Sequence, residues 1–374
     1  MVKVSIIIPV YNRKNFLTVC IKSLLAQSFE DFEICLVDDG STDGTGLLCD
    51  ELAEKDTRIR VLHVQNGGAA YARQKGVELA TGEWVLFVDS DDTMPADALQ
   101  RLFQVTSEDT DIVVGFCRKK RLWRGNRLSP ACYRKLLIKG RYNISATWGK
   151  LFRRTLFDEY TLRTPREIVM GEDMLMNLRL AFASSKPVRL VGGNSVYNYI
   201  QHGGNITHVF KLTADYEHIF HKERLQAIPE EEHARYMPVM IYRRLRMLRR
   251  ILRCAQKDNT VEELRTSAFV KELLADIHDT RYTFWRYPHW RLWQFLASAG
   301  VRRNHKLSFS HSFNAAATVS SMSAYVYCAS LRRKALAPVA VQILDISWES
   351  GCYFRRLPDN KALSPVQNRR GIHR

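Results

Sequence analysis

The stretch that decides the fold is Trp84-Val85-Leu86-Phe87-Val88-Asp89-Ser90-Asp91-Asp92. Its first five residues are apolar, which predicts a strand buried on both faces of a parallel sheet. Three carboxylates follow within four positions, at the carboxyl end of that strand, where an open α/β sheet binds its ligands. Carboxylates this close together repel one another unless a cation lies among them. Because Asp oxygens are hard ligands, the pattern indicates Mg²⁺ or Mn²⁺, shared with a diphosphate.

The same residues also suit the start of a helix. Ser90 or Asp91 would cap a helix that begins near Met94-Pro95, because a side-chain oxygen at that position accepts a hydrogen bond from an unpaired backbone N–H group. Both explanations can hold together, so the residues leave metal binding and helix capping open.

Apolar strands alternate with amphipathic helices over the first part of the chain. Strands are predicted at about residues 4–10, 32–37, 60–64, 84–88 and 111–116, and the helices between them at about 15–27, up to 56, 69–80 and 95–108. This alternation with short connections predicts a parallel, doubly wound sheet with right-handed crossovers. The loops that carry Tyr11, the pair Asp38 and Asp39, and the carboxylates of residues 89–92 then converge on one rim of the sheet.

Two further motifs follow the fifth predicted strand. The segment Trp148-Gly149-Lys150-Leu151-Phe152 precedes a helix predicted near residues 153–159. Gly171-Glu172-Asp173-Met174 opens another helix, and its acidic pair has a purely structural explanation, because negative side chains stabilise a helix N-terminus. A strand is predicted at residues 196–199, and a polar loop from Gln201 to Thr207 comes after it.

The charge of the chain is unevenly distributed. The net charge is +17 over 374 residues, yet residues 1–110 hold 10 Lys and Arg against 18 Asp and Glu, and the remainder holds 46 against 21. A basic second part predicts an anionic partner, which could be nucleic acid, an anionic membrane surface or a phosphorylated substrate.

Composition also bounds where the protein works. The apolar fraction of 46% is that of a globular protein with a proper core. No signal peptide is expected, and the most apolar window, residues 315–331, is diluted by Thr and Ser, so no transmembrane helix is expected either. Cysteines such as Cys20 and Cys35 lie in apolar runs without C-x-x-C spacing, which indicates reduced core residues of a cytosolic protein.

Helices replace the α/β alternation from about residue 211. Residues 237–257 separate an apolar face from a basic one, and residues 282–293 interleave aromatic side chains with Arg. Such composition suits a membrane interface, although a helical subdomain with an aromatic core and a solvated Arg face would have the same pattern. We therefore predict a catalytic domain at 1–210, a helical, basic and aromatic-rich region at 211–357, and a disordered tail at 358–374.

Four motifs together resemble the family 2 glycosyltransferases of the GT-A fold. They are the segment 4–12, the segment 37–43, the carboxylate segment 87–92 and the acidic pair of residues 171–173, with Trp148, Lys150 and Leu151 matching a W-x-K-L segment. The pattern of residues 66–82 also fits, although Gln74 stands where the family usually has Asn. The resemblance spans roughly residues 1–208 and implies a GT-A fold followed by a helical extension.

The resemblance implies a metal-dependent transfer that inverts the anomeric carbon in one displacement. The donor would be a nucleotide-sugar, most often a UDP-sugar, with Mn²⁺ or Mg²⁺ on the diphosphate. The acceptor would be a saccharide or a lipid-linked molecule of a bacterial surface polysaccharide, such as lipopolysaccharide or capsule. The basic region would then hold the enzyme peripherally on the inner face of the plasma membrane.

The resemblance also assigns roles to residues of this chain. The nucleotide-sugar site would comprise Pro9, Tyr11, Asp38, Asp39, Arg73, Asp89 and Ser90. Asp91, with Asp92, would bind the metal ion, and Asp173 would be the general base with Glu172 supporting it or contacting the acceptor. A loop closing over the diphosphate would carry Gln201, His202, Asn205 and Thr207. Trp148 would line the acceptor site, or else be an ordinary core residue.

Other classes of protein fit the residues less well. A nucleic-acid-binding protein or scaffold would explain the basic region, but not an acidic first third whose strands end in carboxylates. A nucleotidyltransferase would need a glycine-rich phosphate-binding loop near the N-terminus, and the sequence has none. A non-catalytic family member is disfavoured because Asp89, Asp91 and the pair Glu172-Asp173 are all present.

Overall fold

The first strand lies in the middle of a large sheet because nearly all of its side chains are apolar. In Val4–Val10 every residue but Pro9 is buried, as expected of a strand covered on both faces.

This computed structural model describes residues 2–119, 126–140, 142–201, 210–280, 292, 295 and 296. The loop residues His202, Asn205 and Thr207, most of the aromatic segment 282–293 and the tail 358–374 lie outside the described residues.

The strands and helices follow in chain order. The strands are β1 (Val4–Val10), β2 (Phe32–Asp38), β3 (Ile59–His63), β4 (Trp84–Phe87), β5 (Ile112–Val114), β6 (Arg127–Leu128), β7 (Lys150–Arg153) and β8 (Val188–Leu190). The helices are α1 (Lys14–Leu25), α2 (Thr45–Lys55), α3 (Ala69–Leu79), α4 (Ala98–Phe103), α5 (Pro130–Ile138), α6 (Tyr142–Ser145), α7 (Glu159–Leu162), α8 (Glu172–Ala183), α9 (Ala214–Gln226), α10 (His233–Asp258), α11 (Val261–Thr266) and α12 (Ala268–Asp279).

The strands form one mixed sheet in the order β3-β2-β1-β4-β7-β5-β8-β6. β1 pairs in parallel with β2 and with β4, so that Ile6 lies opposite Ile34 on one side and Leu86 on the other. The chain winds from β1 outward to β3 and then returns to place β4 on the other side of β1. This reversal leaves a crevice at the carboxyl ends of β1 and β4, the usual position of a ligand site in such sheets.

Alternating side chains of the central strands enter two different apolar layers. Ile6 and Ile8 pack with Leu17 of α1 on one face of the sheet, whereas Ile7 packs with Val77 of α3 on the other. The alternation follows from the period of two along a strand. The prediction of a doubly wound, mostly parallel α/β sheet is therefore confirmed in the first half of the chain.

Two predicted elements differ from the structure. The helix predicted near residues 153–159 is a short 3₁₀ turn, Arg154–Leu156, and the residues before it form a strand that was not predicted, β7, which lies antiparallel between β4 and β5. Charged residues at both ends of this four-residue segment hide the strand pattern, and its edges become buried only when β4 and β5 flank it. Residues 196–199 do not form a strand of the sheet; a single antiparallel bridge joins Asn198 to Thr93 instead.

The cysteine prediction holds in the core of the α/β part. Cys20, Cys35 and Cys49 are buried free thiols, as expected of reduced core residues.

The helices after residue 210 pack directly on the α/β part, because the described residues all belong to one compact unit. Tyr236 and Met240 of α10 lie in the same apolar cluster as Leu178 of α8. The rest of the apolar face of α10 packs against Phe269 and Leu273 of α12. Among the described residues no helix combines the length and the apolar character that crossing a membrane requires.

We predict that Gly76→Ala lowers the free energy of unfolding by about 1–3 kcal/mol. At an ordinary helix position the same change would stabilise the helix, since Ala has the higher helix propensity. At Gly76 an added Cβ would lie 2.2 Å from Cγ2 of Ile7, so α3 would be pushed away from β1. Urea unfolding measures the effect, with Gln74→Ala on the same helix as the control. A stabilised Gly76→Ala variant would contradict this tight packing.

Candidate active site

Three loops meet where β1, β2 and β4 end. The backbone N–H of Asn12 donates to Oγ of Ser41 at 3.0 Å, and Oδ1 of Asn12 accepts from the N–H of Thr42 at 2.8 Å. On the other side, Nε of Arg13 lies 3.2 Å from Oδ2 of Asp91. The predicted convergence of these loops on one rim is confirmed.

A single buried guanidinium, that of Arg73, joins three carboxylates from separate parts of the chain. Its side chain is 6% exposed, and its nitrogens lie 3.3 Å from Oδ1 of Asp89, 3.4 Å from Oε1 of Glu172 and 2.9 Å from Oδ1 of Asp173. Arg73 reaches them from α3, whose buried face carries it down against the sheet. The carboxylates after β4 and the acidic pair of α8 therefore form one site.

The acidic pair occupies the first turn of α8, as predicted. The helix begins after Gly171, whose φ of +98° is in the left-handed region that favours glycine. Unpaired N–H groups and the helix dipole favour negative charge at this end. Burial and the neighbouring Asp173 carboxylate nevertheless raise the pKa of Glu172 to about 7. Glu172 can thus change its protonation near neutral pH.

Asp173 is seated against the loop that leads into β7. The N–H of Thr147 lies 3.4 Å from Oδ2 of Asp173, and the side-chain amide of Asn177 donates to the carbonyls of Asp173 and Ala146 at 2.8 and 3.2 Å. Lys150 is fully buried and also donates to the carbonyl of Ala146. Burial lowers the pKa of Lys150 to about 7, although the charge of Asp173 opposes this shift. These contacts leave Asp173 in one orientation toward the crevice edge.

The hydroxyl of a buried tyrosine, Tyr197, forms hydrogen bonds with the turn after β4. The hydroxyl of Tyr197 donates to Oδ2 of Asp92 at 2.7 Å and accepts from the N–H of Asp89 at 3.0 Å. Oδ1 of Asp92 accepts from the N–H of Ile200 at 2.7 Å. Burial raises the pKa of Asp92 to about 7. Both Asp92 oxygens are therefore engaged by protein donors, and its place among the metal ligands stays a prediction.

Residues 89–91 suit a divalent cation shared with a ligand. The side chains of Asp89 and Asp91 are 30% and 16% exposed, and their carboxylate oxygens are the hard donors that Mg²⁺ and Mn²⁺ prefer. Among the described residues no group of three or more His, Cys, Asp or Glu side chains is arranged to hold a metal ion. Mg²⁺ typically binds one or two carboxylates together with substrate phosphates, and the donor set here fits that mode.

Asp39 fastens the end of β2 to the loop before α3. Its two carboxylate oxygens accept from the N–H groups of Gly67 and Gly68 at 2.7 and 2.8 Å, and its carbonyl accepts from the side chain of Asn66 at 2.9 Å. Tyr11, by contrast, is 46% exposed at the end of β1. Asp39 would shape this side of the crevice through the backbone, and Tyr11 offers an open aromatic ring there.

Both carboxylate oxygens of Asp38 have protein partners. Oδ1 accepts from the N–H of Ser41 at 3.1 Å, and Oδ2 lies 3.0 Å from Nδ1 of His63, whose Nε2 lies 2.9 Å from Oδ1 of Asp50. The hydrogen bonds to Asp38 and Asp50 raise the pKa of His63. Asp38 therefore links the β2 loop to His63, and its place in the nucleotide-sugar site stays a prediction.

The remaining predicted residues divide between core and rim. Trp148 is 3% exposed and stacks on Tyr197 with ring centroids 4.6 Å apart, so the alternative of a core residue describes it and its ring is not open to an acceptor. Ser90 is buried, Pro9 is partly buried within β1, and Gln201 is exposed at the edge of the described residues.

Some residues that build the site were missed. Arg13, Tyr197, Asn177 and Thr147 make the contacts described above and had no predicted role. Tyr197 was assigned to a strand, and its contacts depend on residues about a hundred positions away. The sequence signal that could have identified Arg13 as a site residue was its position directly after Tyr11-Asn12, in the loop that follows β1.

Comparisons with known proteins agree with this arrangement. Residues 5–161 match the family model described as Glycosyl transferase family 2. The uncharacterized glycosyltransferase EpsJ of Bacillus subtilis is 34% identical over 58% of this chain and 66% of its own length. Glycosyltransferase GlyA of Streptococcus pneumoniae is 30% identical over 56% of this chain and 32% of its own. The chain thus spans only a third of one of these relatives and about two thirds of the other.

The fold has a counterpart among solved structures. In the crystal structure of S. aureus TarS 1-349 in complex with UDP-GlcNAc, the protein is 21% identical in sequence to this chain. The match has a TM-score of 0.52 and covers 74% of this chain and 80% of that one. This likeness is one of fold, and it confirms the predicted GT-A fold.

We predict that Arg73→Gln destabilises the protein by about 3–5 kcal/mol at pH 8 and by less at pH 5. Without the guanidinium, three clustered carboxylates bind protons more tightly in the folded than in the unfolded chain, so stability falls as pH rises. Urea unfolding at both pH values measures this, and Arg58→Gln, which removes a surface ion pair with Asp56, should cost about 1 kcal/mol or less. An equal loss at both pH values would contradict charge neutralisation as the role of Arg73.

Proposed function

We propose that this chain, whose residues 5–161 match the model of glycosyl transferase family 2, transfers a sugar from a nucleotide-sugar to a saccharide or lipid-linked acceptor. The transfer inverts the anomeric carbon, depends on a divalent metal ion, and serves the synthesis of a bacterial surface polysaccharide. The relatives named as glycosyltransferases support the reaction class.

The observation that carries this proposal is the contact of Arg73 with both halves of the site. Asp89 lies at the strand ends, where a nucleotide would bind, and Asp173 lies at the start of α8. One guanidinium within 3.3 Å of each carboxylate supports a donor subsite at Asp89 that adjoins a base at Asp173. A direct displacement needs this adjacency, because the attacking hydroxyl and the anomeric carbon must meet within van der Waals distance.

The donor is proposed to be a UDP-sugar. TarS, which shares the fold, was crystallised with UDP-GlcNAc, and the exposed ring of Tyr11 lies where a nucleotide base would stack. Asp39 shapes that side of the crevice through Gly67 and Gly68. Pro9 and Ser90 would line it.

Asp173 is proposed to take the proton of the acceptor hydroxyl. Its carboxylate is held by Arg73 and by the N–H of Thr147, so it faces the acceptor with a fixed geometry. Glu172, with a pKa raised to about 7 by burial and by Asp173, would contact the acceptor or share the proton near neutral pH. Trp148 would support this side from the core and not as a sugar platform.

Asp91 is proposed to hold the metal ion, with Asp89 beside it. A bound Mn²⁺ or Mg²⁺ would neutralise charge on the departing nucleoside diphosphate. Arg13 orients the Asp91 carboxylate from the β1 loop at 3.2 Å. The loop residues His202, Asn205 and Thr207, with Gln201 before them, are proposed to cover the diphosphate.

Calorimetric titration with UDP, with and without Mn²⁺, tests this assignment. We expect Mn²⁺-dependent binding that Asp91→Asn weakens at least about tenfold, because a charged carboxylate ligand is replaced by a neutral amide. Asp97→Asn, an exposed carboxylate after the same turn that pairs with Arg101, is the matched control and should bind as the unmodified chain does. Asp173→Asn should keep this binding and abolish sugar transfer. If the affinity for UDP is the same with and without Mn²⁺, and the same in the Asp91→Asn variant, the metal assignment is contradicted.

The anionic membrane partner is proposed to bind the exposed face of α10. Arg246, Arg250, Arg253 and Lys257 are exposed at helical spacing and share one side of the helix over about 16 Å. Like charges so placed repel one another, and no acidic residue precedes Asp258 in the helix. An anionic surface would offset that repulsion by about 1 kcal/mol for each cation.

Changing all four of these cations to Gln should reduce pelleting with phosphatidylserine vesicles at least about tenfold at low salt. The control is an equal charge change on the α/β surface, at Lys22, Lys55, Arg118 and Arg166. If both quadruple variants lose binding equally, net charge rather than the α10 face accounts for it, and the proposal for this face is wrong.

A further inference from the structure

The acidic pair Glu172-Asp173 follows a turn formed by Met170 and Gly171. Gly171 precedes the helix in the left-handed conformation, and no side chain caps the helix N-terminus. The first helical hydrogen bonds run from the N–H groups of Met174 and Leu175 to the carbonyl of Gly171. The direction in which the pair points therefore depends on what holds Met170 and Gly171 in place.

A tyrosine of the helical region after residue 210 holds Met170 at both of its backbone polar groups. The hydroxyl of Tyr216 donates to the carbonyl of Met170 at 2.8 Å and accepts from the N–H of Met170 at 2.9 Å. Tyr216 is set on the first turn of α9, where its own N–H donates to Oγ1 of Thr213 at 3.1 Å. One side chain thus fixes both the donor and the acceptor of the residue two positions before Glu172.

A phenylalanine from the same helix packs against Gly171. Phe220 is 2% exposed, and a Cβ added at Gly171 would lie 2.7 Å from its Cζ. Tyr216 and Phe220 are stacked with centroids 6.1 Å apart, and both contact the apolar cluster of Ile168, Met174 and Leu175. The two rings therefore pack against the Met170-Gly171 turn.

The hydroxyl of Tyr216 stays protonated, and so remains a hydrogen-bond donor, at pH values well above neutrality. Burial, with a smaller contribution from the charge of Glu172, raises the pKa of Tyr216 to about 12. The contact is thus constant, and the titrating group nearby is Glu172 itself.

We propose that Tyr216 and Phe220 are positioning residues for the transfer reaction, which set the orientation of Glu172 and Asp173 through the Met170-Gly171 turn. This inference rests on the proposed function. It makes the helical region after residue 210 part of the catalytic apparatus, beyond any role in membrane binding. The nucleotide subsite at the strand ends makes none of these contacts and should be independent of them.

A second tyrosine supplies a matched control. The hydroxyl of Tyr160, in α7, donates to the carbonyl of Gln226 at 2.6 Å. It therefore also ties α9 to the α/β part through a tyrosine hydroxyl, but at the far end of α9 from Tyr216. Tyr160→Phe removes a comparable bond without touching the turn before the acidic pair.

The test compares steady-state kinetics of Tyr216→Phe and Tyr160→Phe. We expect Tyr216→Phe to lower kcat about tenfold or more, because a small displacement of a reacting group is costly, while KM for the nucleotide-sugar stays within about twofold. Phe220→Ala should act in the same direction, and Tyr160→Phe should match the unmodified chain. Thermal melting of each variant shows whether it is folded. Equal kcat for Tyr216→Phe and Tyr160→Phe would overturn the proposal.

Amide hydrogen exchange provides a readout that needs no turnover. In Tyr216→Phe the peptide covering residues 168–175 should exchange at least about tenfold faster, because a native contact of the Met170 N–H is lost. The peptide covering β1 should be unchanged. If the unmodified chain transfers no sugar, the proposed function fails while exchange still decides the positioning role. Unaltered exchange at residues 168–175 would overturn that role even in an active enzyme.

Discussion

The site depends on one buried positive charge. Arg73 lies at 6% exposure among Asp89, Glu172 and Asp173, and without it these carboxylates would repel one another in a region largely removed from water. Buried charges are costly unless they are paired, so the guanidinium and the carboxylates stabilise each other only when the strand end, α3 and α8 are all in place. Assembly of the site therefore depends on the packing of the α/β part around it.

The packing of α3 is what makes this contact reachable. Gly76 lets the helix lie against Ile7 at a distance that a side chain would prevent, and the next turn toward the N-terminus carries Arg73 on the same buried face. The loop before the helix is held by Asp39 through Gly67 and Gly68. Small residues at the contact and backbone hydrogen bonds at the loop thus replace the larger apolar interface that most helices use.

The helical region has two separate surfaces. The buried one places Tyr216 and Phe220 against the turn before α8, and the exposed one presents the cations of α10. The first surface lies on α9 and the second on α10, and the two helices pack against each other, so an anionic surface bound by α10 would lie on an element packed against the support of the acidic pair. Support of the acidic pair and surface binding are separable by substitution, since they use residues of different helices.

The sequence alone determined the parallel sheet, the edge of that sheet at which the strand ends meet, and the carboxylate chemistry of that edge. Apolar strands that end in carboxylates have few other arrangements, and parallel strands bring their ends to one edge, so the loops after β1, β2 and β4 were expected to meet there. Only the tertiary structure brought the pair Glu172-Asp173 to that edge, through Arg73. It also gave Asp92 and Trp148 their contacts, because Tyr197, about fifty to a hundred residues later, takes one as a hydrogen-bond partner and the other as a stacking partner. β7 became a strand because β4 and β5 flank it. Composition and periodicity record what one segment prefers, whereas partners distant in sequence are chosen by packing, and packing is absent from any local pattern.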